Sequence, residues 1–308
     1  MTQLSNQENL RSGIVSIVGR PNTGKSTLVN YILKEKVAIV STVPQTTRHQ
    51  MRGIYNDERG QIVFIDTPGV HLGKDKLDQF MHTSSLAALD GADCIIHLVD
   101  SSEATGKEER VVIESLRNIK APIIVGLNKI DLKGKYVAQY IELWQEIKKK
   151  PVTEIEGMVL LPLSSKTGHN VDTLLDLIFE RLPQGPALYP QDIISDVPQK
   201  IMIADIIREK FLRLMRDEVP HSLAVVVDQV VPKKNKLTYI SAQVLVERES
   251  QKEIVIGKGG QILKKVGTQA REELEEILGG KVFLEIFVRL EKKWREDHSL
   301  LEEMGYTF

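Results

Sequence analysis

Apolar positions along the first part of the chain follow two patterns, short continuous runs and a helical periodicity. From residue 14 to about 182, short apolar runs predict strands at residues 14–18, 53–55, 61–65, 94–99, 122–127 and 159–163. Between them, apolar positions at helical spacing predict helices at residues 25–33, 80–89, 107–118, 136–149 and 171–181. Strands that alternate with helices are typical of an α/β domain with a mostly parallel sheet and helices on both faces. We therefore predict such a domain at residues 13–182, after a flexible N-terminus at residues 1–12.

The chain after residue 182 follows a different order. Residues 183–190 contain three prolines and one glycine, a composition that predicts a linker, which we place at residues 183–198. The pattern beyond it predicts, in order, a helix at 200–216, strands at 222–230 and 237–246, a helix that ends at 254–256, a helix at 261–278, a strand at 282–290 and a short helix at 297–304. This α-β-β-α-α-β order indicates a second, α+β domain over residues 199–308.

Composition narrows the class of protein without identifying it. The chain has 308 residues, which is long for one core, and its net charge of −1 favours no nucleic-acid partner by itself. Its single cysteine, Cys94, excludes an internal disulfide framework, and the apolar neighbours of Cys94 indicate a buried strand position in a reducing cytosol. The N-terminus lacks the apolar region of a signal peptide, and no apolar stretch approaches the length of a membrane span. We therefore expect a cytoplasmic protein.

Residues 19–26, Gly-Arg-Pro-Asn-Thr-Gly-Lys-Ser, have the G-x-x-x-x-G-K-[ST] spacing of a phosphate-binding loop between a strand and a helix. Gly19 and Gly24 let the backbone curl so that its N–H groups point at the phosphates. Lys25 would reach the β- and γ-phosphates, and the Ser26 hydroxyl would bind Mg²⁺. The predicted phosphate site comprises Gly19, Asn22, Thr23, Gly24, Lys25, Ser26 and Thr27.

Two further motifs follow in the order that a guanine-nucleotide domain requires. Asp66-Thr67-Pro68-Gly69 ends a predicted strand with a carboxylate suited to hold Mg²⁺ through water, and Gly69 would offer its N–H to the γ-phosphate. In Asn128-Lys129-Ile130-Asp131, the Asp131 carboxylate can accept both N–H donors on one edge of guanine, a pattern that adenine lacks. Asn128 would brace the loops, and the Lys129 stem would pack along the base. A backbone N–H for guanine O6 would come from Ser164, Ser165 and Lys166.

The polar stretch at residues 45–49, Gln-Thr-Thr-Arg-His, lies between the phosphate loop and Asp66 and indicates a switch region. A threonine hydroxyl there would complete the Mg²⁺ shell. The sequence does not separate Thr46 from Thr47, and we favour Thr47. The predicted metal ligands are then Ser26, Thr47 and Asp66.

A second glycine loop lies in the predicted α+β domain. Ile256-Gly257-Lys258-Gly259-Gly260 resembles the G-x-x-G loop of a KH module, which admits the backbone of about four single-stranded nucleotides. A G-x-x-G sequence alone is more often a helix–helix turn, and the α-β-β-α-α-β order is what favours the KH interpretation. The predicted RNA site comprises Ile256, Gly257, Lys258, Gly259, Gly260, Lys264 and Lys265.

Taken together, these motifs resemble those of the Era-type GTPases over nearly the whole chain. The resemblance implies a P-loop NTPase G-domain followed by a type II KH domain, and hydrolysis of GTP to GDP and phosphate. In that family the KH domain binds the 3′ end of small-subunit ribosomal RNA, which implies a role of this chain, as a monomer, in small-subunit assembly and rRNA maturation. Family members also occur at the inner face of the cell membrane, an association that no residue pattern here establishes. The basic stretch Lys292–Arg295 is a candidate for RNA or lipid contact, and equally for a solvated strand end.

The glutamine that orients the attacking water in Ras-like enzymes is absent from this chain. Ras-like enzymes use a glutamine after the Asp-x-x-Gly glycine, whereas this chain has Val70. The resemblance implies that Asn22 instead holds a K⁺ ion near the phosphates, where K⁺ adds positive charge. A loop-shaping role for Asn22 is the alternative. The predicted catalytic residues are Asn22, Lys25, Thr47 and Gly69.

Two other functions remain open at this point. One is a GTP-dependent factor in RNA modification or tRNA processing, although no second cysteine or metal cluster supports such chemistry. The other is an RNA-binding module that binds nucleotide without turnover, an interpretation to which Val70 gives some weight.

Overall fold

The computed structural model describes residues 10–41, 43, 46–69, 75–215 and 218–306. The described chain forms two compact units. The first contains residues 10–38, 47–69 and 81–196, and the second contains the described parts of 39–46, 75–80 and 197–306. Gln45, Val70 and the first nine residues, on which parts of the sequence prediction depend, lie outside the described residues.

The first unit is built on a six-stranded sheet. Its strands are β1 (Arg11–Val18), β2 (Met51–Asp57), β3 (Gly60–Asp66), β4 (Cys94–Asp100), β5 (Ile123–Asn128) and β6 (Met158–Pro162). They lie in the order β2-β3-β1-β4-β5-β6, and every neighbouring pair is parallel except β2 with β3. The predicted mostly parallel sheet is therefore confirmed.

Helices cover both faces of this sheet, because its central strands are apolar on both sides. They are α1 (Lys25–Leu33), α3 (Lys107–Ser115), α4 (Val137–Lys148) and α5 (Val171–Arg181). A further helix, α2 (Lys76–Ala87), has residues 81–87 in this unit and residues 76–80 in the second. On one face, Leu28 of α1 and Ile178 of α5 join a core with the alternate residues of β1 and β4. On the other face, Val112 of α3 and Trp144 of α4 pack with Ile95 and its neighbours.

Residues 183–196, at the predicted linker, lie along the first unit. The backbone N–H of Ile54, on the edge strand β2, donates to the carbonyl of Ile194 at 2.7 Å, and Gly53 forms an isolated bridge with Ser195. The Gln61 side chain accepts from the N–H groups of Leu188 and Tyr189 at 2.7 and 2.8 Å. Proline-rich composition thus accompanies a segment in which several backbone groups bond to residues of β2 and β3.

The second unit contains a three-stranded sheet in the order β7-β8-β9. Its elements are α6 (Gln199–Leu214), α7 (Val219–Ser222), β7 (Ala224–Pro232), β8 (Leu237–Val246), α8 (Glu249–Ile256), α9 (Gln261–Leu278), β9 (Lys281–Leu290) and α10 (His298–Glu303). β7 and β8 are antiparallel, and β8 and β9 are parallel. The core joins Phe211 of α6, Val255 of α8 and Leu274 of α9 to the inner face of β8. The predicted α-β-β-α-α-β order is present, with the short helix α7 inserted before β7.

Two short segments from earlier in the chain belong to the second unit. The backbone N–H of Val40 donates to the buried Glu209 carboxylate at 3.0 Å. Arg295 forms an ion pair with Asp75 at 2.6 Å, and the neighbouring Trp294 is fully buried, with its indole N–H on the Ser222 carbonyl. The basic stretch considered for RNA or lipid contact therefore has half of its residues engaged within the unit, while Lys292 and Lys293 are exposed.

Most element boundaries agree with the sequence pattern, and α2 is the main exception. It begins at Lys76, four residues before the predicted start at Phe80. The carboxylate of Asp75 accepts from the N–H of Asp78 at 2.8 Å, as a helix N-terminal residue does, which explains the earlier start. None of the helices in the described part of the chain combines the length and apolar composition needed to cross a bilayer.

Cys94 provides a test of the first core. Burial raises the pKa of its thiol to about 12, so at pH 8 only on the order of one thiol in 10⁴ is ionised. We expect no measurable reaction of the native protein with Ellman's reagent over an hour. The same protein in 6 M guanidinium chloride is the control and should release one thiol per chain. Rapid reaction under native conditions would contradict the placement of Cys94 in the core.

Candidate functional site

The predicted nucleotide-site residues of the first unit meet at the carboxyl ends of the parallel strands. β1 leads into the loop at residues 19–24, β3 ends at Asp66, and β5 ends at Asn128. Parallel pairing aligns Ile17 with Asp66 and Asp100 with Asn128. Because parallel strands all end at the same edge, residues far apart in sequence lie side by side there.

Lys25 lies under the phosphate loop. Its ammonium donates to the carbonyls of Gly19 at 3.0 Å and Arg20 at 2.8 Å, and its side chain is buried. Thr23, also buried, donates from its hydroxyl to the Arg20 carbonyl at 3.1 Å. Thr27 is half-buried in the first turn of α1. The loop therefore holds its lysine in a defined position at the start of a helix, where the helix dipole also favours an anion.

The three predicted metal ligands come together. The Ser26 hydroxyl donates to the Asp66 carboxylate at 2.6 Å and lies 2.8 Å from the Thr47 hydroxyl. The other Asp66 oxygen, Oδ1, is buried and has no hydrogen-bond partner among the described residues. Thr46 instead donates its hydroxyl to the carbonyl of Val43. This set of hard oxygen donors, with one buried carboxylate oxygen unsatisfied, fits a magnesium ion.

The electrostatics of the site reflect burial. Burial lowers the pKa of Lys25 to about 8, although the charges of Asp66 and Glu109 act to raise it. Burial raises the pKa of Asp66 to about 6, against the opposing effects of Lys25 and the Ser26 hydroxyl. Both groups are thus less readily charged than in water, as expected at a site where bound charges complete the balance.

The Asn128 side chain joins two loops. Its amide N–H donates to the Thr23 carbonyl at 2.6 Å, and its amide oxygen accepts from the Ser165 N–H at 2.8 Å. Asn128 and Ser165 are both buried. Asn128 thus bridges the loops after β1 and β6, and its role in bracing them around a nucleotide stays a prediction.

Asp131 is exposed, and one of its carboxylate oxygens accepts from the buried Ser164 hydroxyl at 2.7 Å. Lys166 is also exposed. The ammonium of Lys129 forms an ion pair with Asp100, the last residue of β4. Pairing with Lys129 lowers the pKa of Asp100 against the effect of its burial. Asp100 was missed by the sequence analysis, and the only available signal was an aspartate at the carboxyl end of a buried strand.

Gly69 and Asn22 lie at the open side of the loop. A Cβ built on Gly69 would lie 2.7 Å from the backbone N of Pro21, so only glycine fits against the phosphate loop there. Asn22 is exposed and has a left-handed backbone, with φ of 63°. That conformation suits asparagine, and it gives weight to the loop-shaping alternative for this residue.

The second glycine loop, in the other unit, joins α8 to α9. Gly257, Gly259 and Gly260 all have positive φ, and a Cβ on Gly259 or Gly260 would meet no atom within 4 Å. The loop surface is therefore open to a backbone that approaches closely. Lys258, Lys264 and Lys265 are exposed around it, and Ile256 is half-buried at the end of α8.

Comparison with known proteins follows the same division of the chain. Residues 14–129 match a family described as 50S ribosome-binding GTPase, and residues 218–295 match the KH domain family. GTPase Era from Geobacter sp. (strain M21) is 47% identical over 305 residues, which cover 97% of this chain and 99% of that relative.

Two solved structures are similar over the same length. A variant of Era from Aquifex aeolicus bound to GDP and AlF₄⁻ has a TM-score of 0.89 at 37% identity and covers 97% of this chain and 100% of its own. A structure of Era in complex with MgGDPNP and nucleotides 1506–1542 of 16S ribosomal RNA has the same TM-score, identity and coverage. Likeness at this level extends to the fold of each unit.

The raised pKa of Asp66 makes a prediction about stability in nucleotide-free, metal-free protein. Because the folded-state pKa is about 6 and the unfolded value is near 3.9, folding favours the neutral carboxyl, and this contribution is lost as pH rises through about 6. Asp66→Asn removes the cost, so we expect the variant to be more stable than wild type by about 1–3 kcal/mol at pH 7.5 in EDTA, measured by urea unfolding.

The difference should vanish below about pH 4, where the wild-type carboxyl is protonated in both states. Asp90→Asn, at an exposed position, is the control and should shift stability by less than about 0.5 kcal/mol at any pH. A variant at Asp66 that is less stable at pH 7.5 would contradict the assignment.

Proposed function

The chain belongs to the Era GTPase family, and we propose from this premise that it binds and hydrolyses GTP and binds the 16S rRNA of the small ribosomal subunit during assembly. The observation that carries the proposal is the convergence of Lys25, Ser26 and Asp66 with the Asn128 brace at one edge of the sheet. The relative solved with MgGDPNP and 16S rRNA supports both ligands. Single-turnover GTP hydrolysis in Mg²⁺ and K⁺ tests the catalytic part.

In this proposal the phosphate loop binds and orients the triphosphate. The ammonium of Lys25 donates to the loop carbonyls of Gly19 and Arg20, and its third N–H would bond a phosphate oxygen. A bound anion also restores the charge that burial disfavours. Ser26, Thr47 and Asp66 would hold Mg²⁺, which when bound neutralises the phosphate charge. The backbone N–H of Gly69 would bond a γ-phosphate oxygen, which holds this loop in its GTP-bound arrangement.

The second part of the nucleotide site selects guanine. Asp131 would accept the two N–H donors of the base, and the Ser164 hydroxyl already orients one of its oxygens. Asn128 accepts from the Ser165 N–H, and the neighbouring backbone would donate an N–H to guanine O6. Adenine would leave the Asp131 carboxylate without matching donors, which is the physical basis of the expected selectivity.

RNA binding is proposed for the glycine loop at residues 257–260. Its open glycines would admit the sugar-phosphate backbone, and Lys258, Lys264 and Lys265 would supply charge along the path of a single strand. The GTP state would change the affinity for rRNA, so that hydrolysis releases the protein from the maturing subunit. We propose that the protein acts as a cytoplasmic monomer, with contact at the inner face of the membrane as a secondary location.

Nucleotide binding without turnover is the alternative function, because the chain has valine where Ras-like enzymes have glutamine. Nucleotide binding with no hydrolysis in either K⁺ or Na⁺ would favour it. A role in tRNA processing makes a different prediction, namely that RNA crosslinked to residues 257–260 is transfer RNA and not 16S rRNA.

Base selectivity gives the first prediction of this proposal. Asp131→Asn replaces an acceptor with an amide that can donate to the C2 carbonyl of xanthine. We expect GDP affinity to fall by at least about 100-fold and XDP affinity to rise, measured by calorimetry. Asp90→Asn is the matched control and should leave both affinities unchanged. Retention of GDP affinity in Asp131→Asn would remove Asp131 from the base site.

Potassium dependence gives the second prediction. We expect GTP turnover to be faster in K⁺ than in Na⁺ at equal ionic strength, and we expect Asn22→Gly to lose that difference while it keeps the left-handed backbone. Glycine separates the two roles of Asn22, because it preserves the loop shape and removes only the amide. Equal rates of the wild type in the two salts would rule out the potassium role.

The RNA loop gives the third prediction. Lys258→Glu should weaken binding of an RNA fragment that matches nucleotides 1506–1542 of 16S rRNA by about 10-fold or more at 0.15 M salt, measured by filter binding. Lys234→Glu, an exposed lysine in the turn between β7 and β8, makes the same change in net charge and is the control. Equal losses in the two variants would indicate non-specific attraction instead of a loop site.

A further inference from the structure

Arg20, the second residue of the phosphate loop, has its guanidinium held by residues outside the loop. Its Nε lies 3.1 Å from Oε2 of Glu109, an ion pair in which neither atom makes an aligned hydrogen bond, and its Nη2 donates to the Tyr140 hydroxyl at 3.0 Å. Glu103 lies 3.5 Å from the same guanidinium, but it is largely exposed and contributes little. The contact with Glu109 is different, because the Glu109 side chain is completely buried.

Glu109 lies in the first turn of α3 and is also held from its other side. Its Oε1 is 2.7 Å from Nε2 of the buried His97, on β4, and the Trp144 indole N–H meets Nδ1 of His97 at 3.2 Å. An indole N–H can only donate, so Nδ1 accepts and the imidazole proton lies on Nε2, facing Glu109. The ring is therefore neutral, and the ion pair with Arg20 supplies the charge that balances the carboxylate.

The main-chain carbonyl of Arg20 is a hydrogen-bond acceptor for Lys25, the predicted catalytic lysine. The Arg20 carbonyl accepts from the Lys25 ammonium at 2.8 Å and from the Thr23 hydroxyl at 3.1 Å. Arg20 is thus fixed at both ends, by its carbonyl inside the loop and by its guanidinium on α3 and α4. The Tyr140 hydroxyl extends this support to the Asp100 carbonyl at 2.8 Å, next to the ion pair with Lys129.

We propose that Glu109 is a positioning residue for the phosphate loop, which anchors Arg20 so that the Arg20 carbonyl holds Lys25 in place for the phosphates. The His97–Trp144 pair fixes the carboxylate that does so. This inference rests on the proposed function, and it deepens it by adding residues that no nucleotide-site motif contains.

A buried ion pair that only stabilises the fold predicts a different result from one that positions a loop. Removal of one partner leaves an uncompensated buried charge, and removal of both charges eliminates that cost. Stability should therefore fall in Arg20→Met and in Glu109→Gln and recover in the double variant. The amide oxygen introduced by Glu109→Gln would still accept from His97, so the double variant keeps that hydrogen bond. Positioning of the loop, in contrast, needs the pair itself and does not recover.

The experiment measures urea midpoint, kcat for GTP hydrolysis and calorimetric GDP affinity in these three variants. We expect the double variant to regain most of the lost midpoint, while kcat stays about 10- to 100-fold below wild type and the GDP Kd stays about 10-fold higher. The matched control is the double variant Arg110→Met, Glu146→Leu. This exposed ion pair also joins α3 to α4, and Arg110 is the residue that follows Glu109 in α3. The control should keep wild-type kcat and GDP affinity.

Recovery of kcat and GDP affinity together with stability in the double variant would overturn the proposal. Glu109→Asp is a second test, since it keeps the charge and withdraws the carboxylate by one methylene. Positioning predicts a several-fold lower kcat for this variant, and an unchanged kcat would count against it. If wild-type protein hydrolyses no GTP, the proposed catalytic function fails, and GDP affinity alone still decides the role of Glu109.

Discussion

The alignment of parallel strands is the constraint on which the nucleotide site depends. Each strand from β1 to β6, apart from β2, ends at the same edge, and the loops that follow carry the polar groups. No single loop contains a complete site. Asn128 shows the consequence most clearly, because one amide bonds both the loop after β1 and the loop after β6. A register slip of one residue in β5 would turn Asn128 to the other face of the sheet and break both contacts.

The same edge of the sheet contains two buried ionisable groups whose charged forms are disfavoured by burial. Lys25 and Asp66 are both buried, and burial shifts the pKa of each towards its neutral form. Hydrophobic packing on the two faces of the sheet stabilises the unit enough to retain them. A triphosphate and a divalent cation carry the complementary charges, so ligand binding relieves a cost already present in the folded chain. Stability and ligand affinity are therefore opposed at these two positions.

Motifs with local spacing predict which side chains meet at this edge. Ser26, Asp66 and Asn128 were identified from motifs, and the choice of Thr47 over Thr46 agrees with the hydroxyl that faces Ser26. Asp100 and Glu109 were missed, because each is a single acidic residue whose partner is set by strand order. The order of elements was correct on both sides of residue 182, apart from the short helix α7, since apolar periodicity reports which face is buried. Composition was less informative about residues 183–196, because prolines indicate a linker but do not exclude an extended strand alongside a sheet edge.

Ile194 and Ser195 pair with β2 in this way. The pairing depends on the free edge of β2, which is visible only once the order of the six strands is known.

The two tryptophans have a practical consequence for the study of this chain. Trp144 lies in the core of the first unit and Trp294 in the second, both are fully buried, and each donates its indole N–H to a defined partner. Because each unit contains one of them, replacement of either by phenylalanine leaves a single tryptophan, and its selectively excited emission reports on one unit alone. Denaturation followed at the two emission signals would then show whether the units unfold as one cooperative transition or in two separate steps.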